Sequence, residues 1–239
     1  MKKNKFTIKD RIGAIVAEFP KAVEIFMEYN IDFCCGGDRE LRVAIEEGAL
    51  PAQEVIKRLN QAYQEFNHQD EDIDWRQEKM TDLIDYIVNT HHQFMRVELP
   101  VLNELLNRIL NAHYLKEGEL LGRIHKLFYQ LRGEIEEHLI KEEKLLFPII
   151  KEYEDKGTDE KLEKALKVMA ETEDEHDHAG DILKEVRRLT ANYQLPEGVC
   201  RTFALTYDKF EEIEQDLFQH IHLENNILFE RLKKCETEL

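Results

Sequence analysis

Residues that break helices are scarce in this sequence, which holds 10 glycines and 5 prolines among 239 residues. Because sandwiches and barrels join many short strands by turns, so few turn-forming residues argue against both architectures. Glu, Lys, Leu and Ile are abundant instead, and these residues favour long helices. Hydrophobic residues make up 42% of the chain, enough for a buried core. We therefore expect an all-α protein.

Positive charge is also in deficit, and the formal net charge is -17. A field of that sign repels nucleic acid phosphates and anionic lipid headgroups, so we expect neither nucleic acid nor a membrane as a partner. No apolar run approaches the roughly 20 residues that a bilayer-spanning helix needs. The lysines near the N-terminus are not followed by an apolar run, so no signal peptide is expected.

Cysteine is too rare, and too unevenly placed, for a disulfide framework. The four cysteines are Cys34, Cys35, Cys200 and Cys235, and two of them are adjacent. A disulfide between neighbouring cysteines closes a strained ring, so this pattern fits a reducing, cytoplasmic location. Cys200 and Cys235 are isolated in the sequence and are expected to be inert.

The chain divides into two parts by composition. Residues 1–66 are predicted to form a small helical module, in which Pro20 and Pro51 each restart a helix. The polar, acidic stretch 67–75 is interpreted as a linker, and 76–239 as a second domain. A homodimer would give the small N-terminal module a partner surface for its apolar face.

The second domain contains four segments long enough to be helices of a bundle. Their joints are short and carry the Gly, Pro and Asn that are typical of turns, so consecutive helices should run antiparallel. This predicts an up-down-up-down four-helix bundle, with a bend in the second helix near Pro148. The predicted helices span residues 80–110, 118–154, 159–191 and 197–234.

Two of these helices carry a histidine and a glutamate on the apolar stripe that should face the core. In the second helix the rhythm of Leu131 and Ile135 continues through His138 and Glu142. Residues four apart stack one turn from each other on the same helix face. The fourth helix repeats the arrangement with His220 and Glu224.

The other two helices each add one core histidine. His176 lies on a seven-residue repeat of apolar residues in the third helix. In the first helix the polar gap falls at His91 or His92, and periodicity does not choose between them. Burying so many polar groups without partners would cost several kcal/mol for each ionised group.

A pair of metal ions would satisfy this set, and a mutually hydrogen-bonded polar network is the alternative. Imidazole and carboxylate ligands suit iron, manganese or zinc, and the lack of thiolates in the bundle argues against a structural zinc site. Ferritin-like sites use an E-x-x-H motif on each of two helices. Here that motif occurs on the third helix alone, which excludes the ferritin arrangement.

Cys34 and Cys35 stand before Gly36 and Gly37, with Asp38 as a predicted N-cap of the following helix. A helix N-terminus favours the thiolate form, so we expect lowered thiol pKa values and a role in iron binding or redox chemistry. The alternative is that both are small buried hydrophobic residues in a turn.

These motifs resemble those of the iron-sulfur cluster repair di-iron proteins, the Repair of Iron Centres family. IDFCCGG resembles the family's N-terminal module, and THHQFMRVELP, EEHLIKEEKLLFP, EDEHDHAG and QHIHLENNILF resemble its hemerythrin-like domain. The resemblance covers nearly the whole chain. It implies two iron ions with an oxo or hydroxo bridge, Glu142 and Glu224 as bridging carboxylates, and His92 in preference to His91. The implied ligands are His92, His138, Glu142, His176, His220 and Glu224.

The resemblance further implies repair of iron-sulfur clusters damaged by nitric oxide or oxidants, by supply of iron, with damaged iron-sulfur proteins as partners. Cys34 and Cys35 would then take part in iron or nitrosyl transfer. Oxygen-carrying hemerythrins have a further histidine where this chain has Gly180, which argues against oxygen carriage. A nitric oxide reductase and an oxygen or nitric oxide sensor are alternatives, so the sequence leaves open whether the protein is an enzyme.

Overall fold

A computed structural model describes residues 4–65 and 73–237. Within these ranges the chain is helical and forms no strand, apart from one isolated bridge between Arg11 and Glu40. The prediction of an all-α fold is thus confirmed. None of the helices in the described ranges combines the length and the apolar character needed to cross a membrane.

Four helices form the N-terminal part of the chain within the residues that the structure describes. Their inner faces bury apolar side chains at helical spacing, among them Ile12, Phe26 and Leu59. The carbonyl oxygens of Pro20 and Pro51 accept hydrogen bonds from the first turns of the helices that follow them. The helices are α1 (Ile12–Glu18), α2 (Ala22–Glu28), α3 (Leu41–Glu47) and α4 (Ala52–Glu65).

The remaining helices include the longest of the described chain, and three π-helical turns interrupt them in the described residues. The α-helices are α5 (Met80–Ile87), α6 (Gln93–Lys141), α7 (Phe147–Lys156), α8 (Asp159–Leu189), α9 (Arg201–Leu223) and α10 (Phe229–Thr237). The π-helical turns are Val88–His92, Glu142–Leu146 and Glu224–Leu228. Pro148 lies at the start of α7, just after one of these turns, where the sequence predicts a bend.

Helix α6 folds back on itself although helical hydrogen bonding continues over 49 residues. His125 Nε2 lies 3.0 Å from Asn107 Oδ1, while 18 residues of straight helix would span roughly 27 Å. The chain therefore reverses between them, and Tyr114 and Leu115 are exposed at the tip. This is the predicted joint between the first and second bundle helices, and we call the two halves of α6 its first and second arms.

The two arms of α6 pack with α8 and the first part of α9 as an antiparallel four-helix bundle, which confirms the predicted topology. Phe128 of the second arm meets Phe210 of α9 edge to face, with ring centroids 5.8 Å apart, in the centre of this bundle. Ion pairs join the second arm to α8, α8 to α9, and α9 to the first arm: Lys141–Glu175, Arg187–Glu214 and Glu98–Lys209.

The Cα positions divide the chain into two compact units. One unit consists of the described residues up to Leu83 together with those from Gln219 onward, and the other is Ile84–Phe218. The predicted linker 67–75 lies largely outside the described residues. The predicted boundaries 1–66 and 76–239 therefore stay a prediction.

Candidate metal centre

Each π-helical turn begins or ends at a predicted ligand. Val88–His92 ends at His92, Glu142–Leu146 begins at Glu142, and Glu224–Leu228 begins at Glu224. A π-helical turn adds one residue to a helical turn and so rotates the side chains that follow it. Such turns are rare and occur frequently at functional sites. Nothing in the hydrophobic periodicity of the sequence indicates them.

Within the Ile84–Phe218 unit, Glu142 lies between two histidines. Its Oε2 is 3.3 Å from His92 Nε2, and its Oε1 is 3.3 Å from His138 Nε2. All three side chains are buried. Each carboxylate oxygen therefore has its own imidazole, which is the arrangement expected of a carboxylate that bridges two cations.

His176 of α8 completes this half of the cluster. Its Nε2 lies 3.1 Å from His138 Nε2, and the ligand atoms of His138, Glu142 and His176 lie within 4.8 Å of one another. Two ligands at right angles on an ion with bonds of about 2.1 Å are separated by roughly 3.0 Å. The spacing of these nitrogen and oxygen atoms therefore fits a metal ion.

Two carboxylates fix the orientation of the ligand rings. His92 Nδ1 donates a hydrogen bond of 2.8 Å to Glu143, and His138 Nδ1 donates one of 2.8 Å to Glu175. A proton on Nδ1 leaves the lone pair on Nε2, the atom that faces Glu142. Metal-binding histidines commonly have such carboxylate partners.

Each of these carboxylates is in turn bound by a cation. Burial opposes the ionisation of Glu143, but hydrogen bonds from His92 and Arg96 outweigh it and lower its pKa. The hydrogen bond from His138, with a further one from Lys141, lowers the pKa of Glu175 to about 2. Neither glutamate was predicted from the sequence as part of the site. Their one signal in the sequence is that each adjoins a predicted ligand.

The structure distinguishes the two neighbouring histidines of the first bundle helix. His91 Nδ1 lies 3.0 Å from Asp216 Oδ1, and its ring meets Tyr86 edge to face. His92 instead faces Glu142. The one-residue difference places His91 in contact with α9 and His92 within reach of the other candidate ligands of this unit.

The second His–Glu pair lies in the other unit. His220 Nε2 is 3.1 Å from Glu224 Oε1, and both side chains are fully buried. This repeats the contact of His138 with Glu142, at the same four-residue spacing and with the glutamate at the start of a π-helical turn. His222, which the sequence pattern would place in solvent, is buried and lies next to Phe33, with ring centroids 6.2 Å apart.

The double-cysteine loop differs from its prediction in two respects. Helix α3 begins at Leu41 with Glu40 as its N-cap, so Asp38 is not the cap. Cys34 is buried, and that burial raises its pKa well above the ordinary value instead of lowering it. The two thiols are free, with Sγ atoms 3.8 Å apart.

Cys200 was expected to be inert because it is isolated in the sequence, but the structure gives it a histidine neighbour. It is exposed, and its Sγ lies 3.3 Å from His113 Nε2. This hydrogen bond, helped by backbone contacts at the start of α9, lowers the pKa of Cys200 to about 7. A thiol of that kind is partly ionised at neutral pH.

Comparison with known proteins gives two family matches. Residues 8–63 match a domain of unknown function, DUF542, and residues 83–232 match the hemerythrin HHE cation-binding domain. The candidate ligands all fall within the second match, and Cys34 and Cys35 fall within the first.

Curated relatives align with both parts of the chain together. A Haemophilus influenzae protein named probable iron-sulfur cluster repair protein is 34% identical over 94% of this chain and 96% of its own. Proteins named iron-sulfur cluster repair protein YtfE are 34% identical in Edwardsiella ictaluri and 35% in Yersinia pseudotuberculosis, each over 94% of this chain and 97% of the relative. The chain therefore belongs to the iron-sulfur cluster repair protein family, with an N-terminal DUF542 domain and a hemerythrin cation-binding domain.

Proposed function

We propose that this protein holds two iron ions and uses them to repair damaged iron-sulfur clusters. The observation that carries the proposal is the position of Glu142, with one oxygen facing His92 and the other facing His138 at 3.3 Å each. A carboxylate with a separate imidazole at each oxygen suits two cations better than one. The proposed ligands are His92, His138, Glu142, His176, His220 and Glu224.

The proposal assigns His220 and Glu224 to the same centre as the other four residues. The support is chemical: both are buried, and they repeat the spacing and the π-helical turn of His138 and Glu142. The hemerythrin match spans all six positions in one domain. Glu224 would then serve as the second bridging carboxylate.

Iron is proposed on the basis of the donor atoms and the family. Neutral imidazoles with carboxylates suit iron, manganese or zinc, and a set of six ligands for two ions leaves coordination positions open. Bound iron would supply redox chemistry and an ion that can be given up to a damaged cluster. The chain's own residues orient the imidazoles, exclude bulk water by burial, and keep Nδ1 protonated through Glu143 and Glu175.

Repair of iron-sulfur proteins is proposed because curated relatives with that name cover 94% of the chain, including the cysteine module. Damaged iron-sulfur proteins would be the partners, and nitric oxide or oxygen the small ligands. The four cysteines are free, which suits a cytoplasmic site of action.

The test is recovery of an iron-sulfur enzyme that nitric oxide has inactivated. Protein purified without oxygen should restore its activity, and a variant with His138→Ala and Glu142→Ala should not. A matched control replaces the exposed pair His178 and Glu134, which lie 3.3 Å apart, by alanine and should repair normally. Equal repair by both variants would contradict the proposal. Sustained nitrous oxide formation without repair would identify a nitric oxide reductase instead.

A further inference from the structure

The double-cysteine loop gathers three potential metal ligands away from the histidines. The two Sγ atoms and a carboxylate oxygen of Asp32 lie within 4.8 Å of one another. Cys34 is buried, while Cys35 and Asp32 are partly exposed, so the group can be reached from solvent. None of these three residues belongs to the hemerythrin-type ligand set proposed above.

Their spacing matches tetrahedral coordination. With metal–sulfur bonds of about 2.3 Å, two thiolates on a tetrahedral ion lie ~3.8 Å apart, and a thiolate and a carboxylate oxygen roughly 3.6 Å apart. The Sγ atoms of Cys34 and Cys35 are 3.8 Å apart, and Cys34 Sγ lies 3.3 Å from Asp32 Oδ1. A metal ion would therefore require only small movements of these atoms.

The loop that carries these ligands is held in place by hydrogen bonds. Asp32 Oδ1 accepts them from the backbone N–H groups of Cys34 and Gly36, at 3.2 and 3.0 Å. The amide of Asn226 donates to the carbonyls of Phe33 and Cys34, at 3.3 and 2.9 Å. A site with its ligands fixed beforehand loses less entropy when a metal binds.

We propose that Asp32, Cys34 and Cys35 form a second metal site, which takes a divalent ion of borderline softness such as ferrous iron. Two thiolates and one carboxylate give three protein ligands and leave a fourth position open, as in exchangeable sites rather than closed structural ones. The role of this site depends on the proposed function: it would pass iron between the protein and a damaged cluster. Asn226 is two residues from Glu224, so the loop contacts the helical segment that carries two of the proposed bundle ligands.

Binding at this site is a ligand exchange without a redox change. The metal–sulfur bonds form as the two S–H bonds break, and each thiol that was protonated releases its proton to solvent. The oxidation states of the metal and of both sulfurs stay the same. Once both thiols have lost their protons, a divalent ion offsets most of the negative charge of the two thiolates and the Asp32 carboxylate.

Cobalt(II) is a suitable probe, because thiolate ligation gives a near-ultraviolet charge-transfer band that imidazole and carboxylate ligands do not give. The full chain, with its metal removed under anaerobic conditions, should develop this band on titration with cobalt(II). The variant with Cys34→Ser and Cys35→Ser should lose it. The variant with Cys200→Ser and Cys235→Ser should keep it.

Asp32→Asn is the more specific variant. Asparagine retains an oxygen that can accept the hydrogen bonds from the N–H groups of Cys34 and Gly36, but it lacks the negative charge of the carboxylate ligand. We expect it to weaken cobalt binding at least ~10-fold, with the loop still folded. The variant with His138→Ala and Glu142→Ala should keep the thiolate band, so failure of the bundle centre is distinguishable from failure of this site. No band in the wild type, or a band unaffected by the Cys34 and Cys35 variant, would overturn the proposal.

Discussion

Asn226 donates a hydrogen bond of 2.9 Å to the carbonyl of Cys34, a residue 192 positions earlier in the chain. A second bond of 3.3 Å joins the same amide to the carbonyl of Phe33. Gly13 and Gly37 surround this amide so closely that a Cβ on either would come within 2.3 Å or less of Asn226 Oδ1. The C-terminal segment thus holds the cysteine loop through one side chain.

Loss of this amide should loosen the loop. Asn226→Ala removes the donor of two hydrogen bonds, and we expect a loss of about 1–3 kcal/mol in the free energy of unfolding. Asn226→Asp should cost more, because a carboxylate would face two carbonyl oxygens. Denaturant unfolding measures the first effect, and the rate of Cys34 alkylation should rise with it. If stability and alkylation are both unchanged, the amide does not hold the loop.

The carboxylates behind the histidines should tune metal affinity. Glu143→Gln and Glu175→Gln keep the size of the side chain but weaken the hydrogen bond that it accepts from Nδ1 of His92 or His138. We expect each to lower metal affinity by 10- to 100-fold, measured by competition with a chelator. Glu136→Gln, on the surface next to Arg132, is the matched control and should have no effect. Equal affinity in all three variants would rule out the positioning role.

The ion pair between Arg187 and Glu214 should be essential to the bundle. Glu214 is fully buried, both its oxygens accept from the guanidinium, and the ring of Tyr193 lies 5.1 Å from that guanidinium. Arg187→Met leaves the Glu214 carboxylate buried without its cation, and we expect a loss of about 3–5 kcal/mol in the free energy of unfolding. Adding Glu214→Leu should recover much of this loss. An Arg187→Met variant as stable as the wild type would show that the ion pair does not stabilise the bundle.

Cys200 should react as an activated thiol. Because its pKa is lowered to about 7, the thiolate predominates above neutral pH and is lost as the pH falls below it. Alkylation of Cys200, followed by peptide mass spectrometry, should therefore have its midpoint near pH 7. His113→Gln should move that midpoint upward, toward the ordinary thiol value of 9.0. A midpoint that does not respond to this substitution would show that His113 is not the cause.

Much of the architecture could be predicted from the sequence. Apolar spacing and short joints were sufficient for an antiparallel helical bundle, and the interrupted stripe located His138, Glu142, His176, His220 and Glu224. Periodicity could not choose between His91 and His92, because the π-helical turn at Val88–His92 shifts the face of the helix at that point. Such a shift depends on tertiary contacts and leaves no trace in a helical repeat.

Other features required the three-dimensional arrangement. The partner of His92 is Glu143, 51 residues away, and spacing along one helix does not reveal a contact between two. His222 lies off the apolar stripe of its helix, where the sequence pattern alone would place it in solvent, but it is buried next to Phe33. The pKa of Cys34 was expected to be lowered, but burial raises it. The sequence does not show this burial, because it depends on the residues that pack over the loop.

The measurement that tests the central claim is metal content per chain, on protein purified without oxygen. We predict about two irons in the wild type and in the control that lacks His178 and Glu134, with a clear loss when His138 and Glu142 are both replaced by alanine. No iron in the wild type, or the same iron in all three, would mean that the buried histidines and glutamates form a polar network without metal.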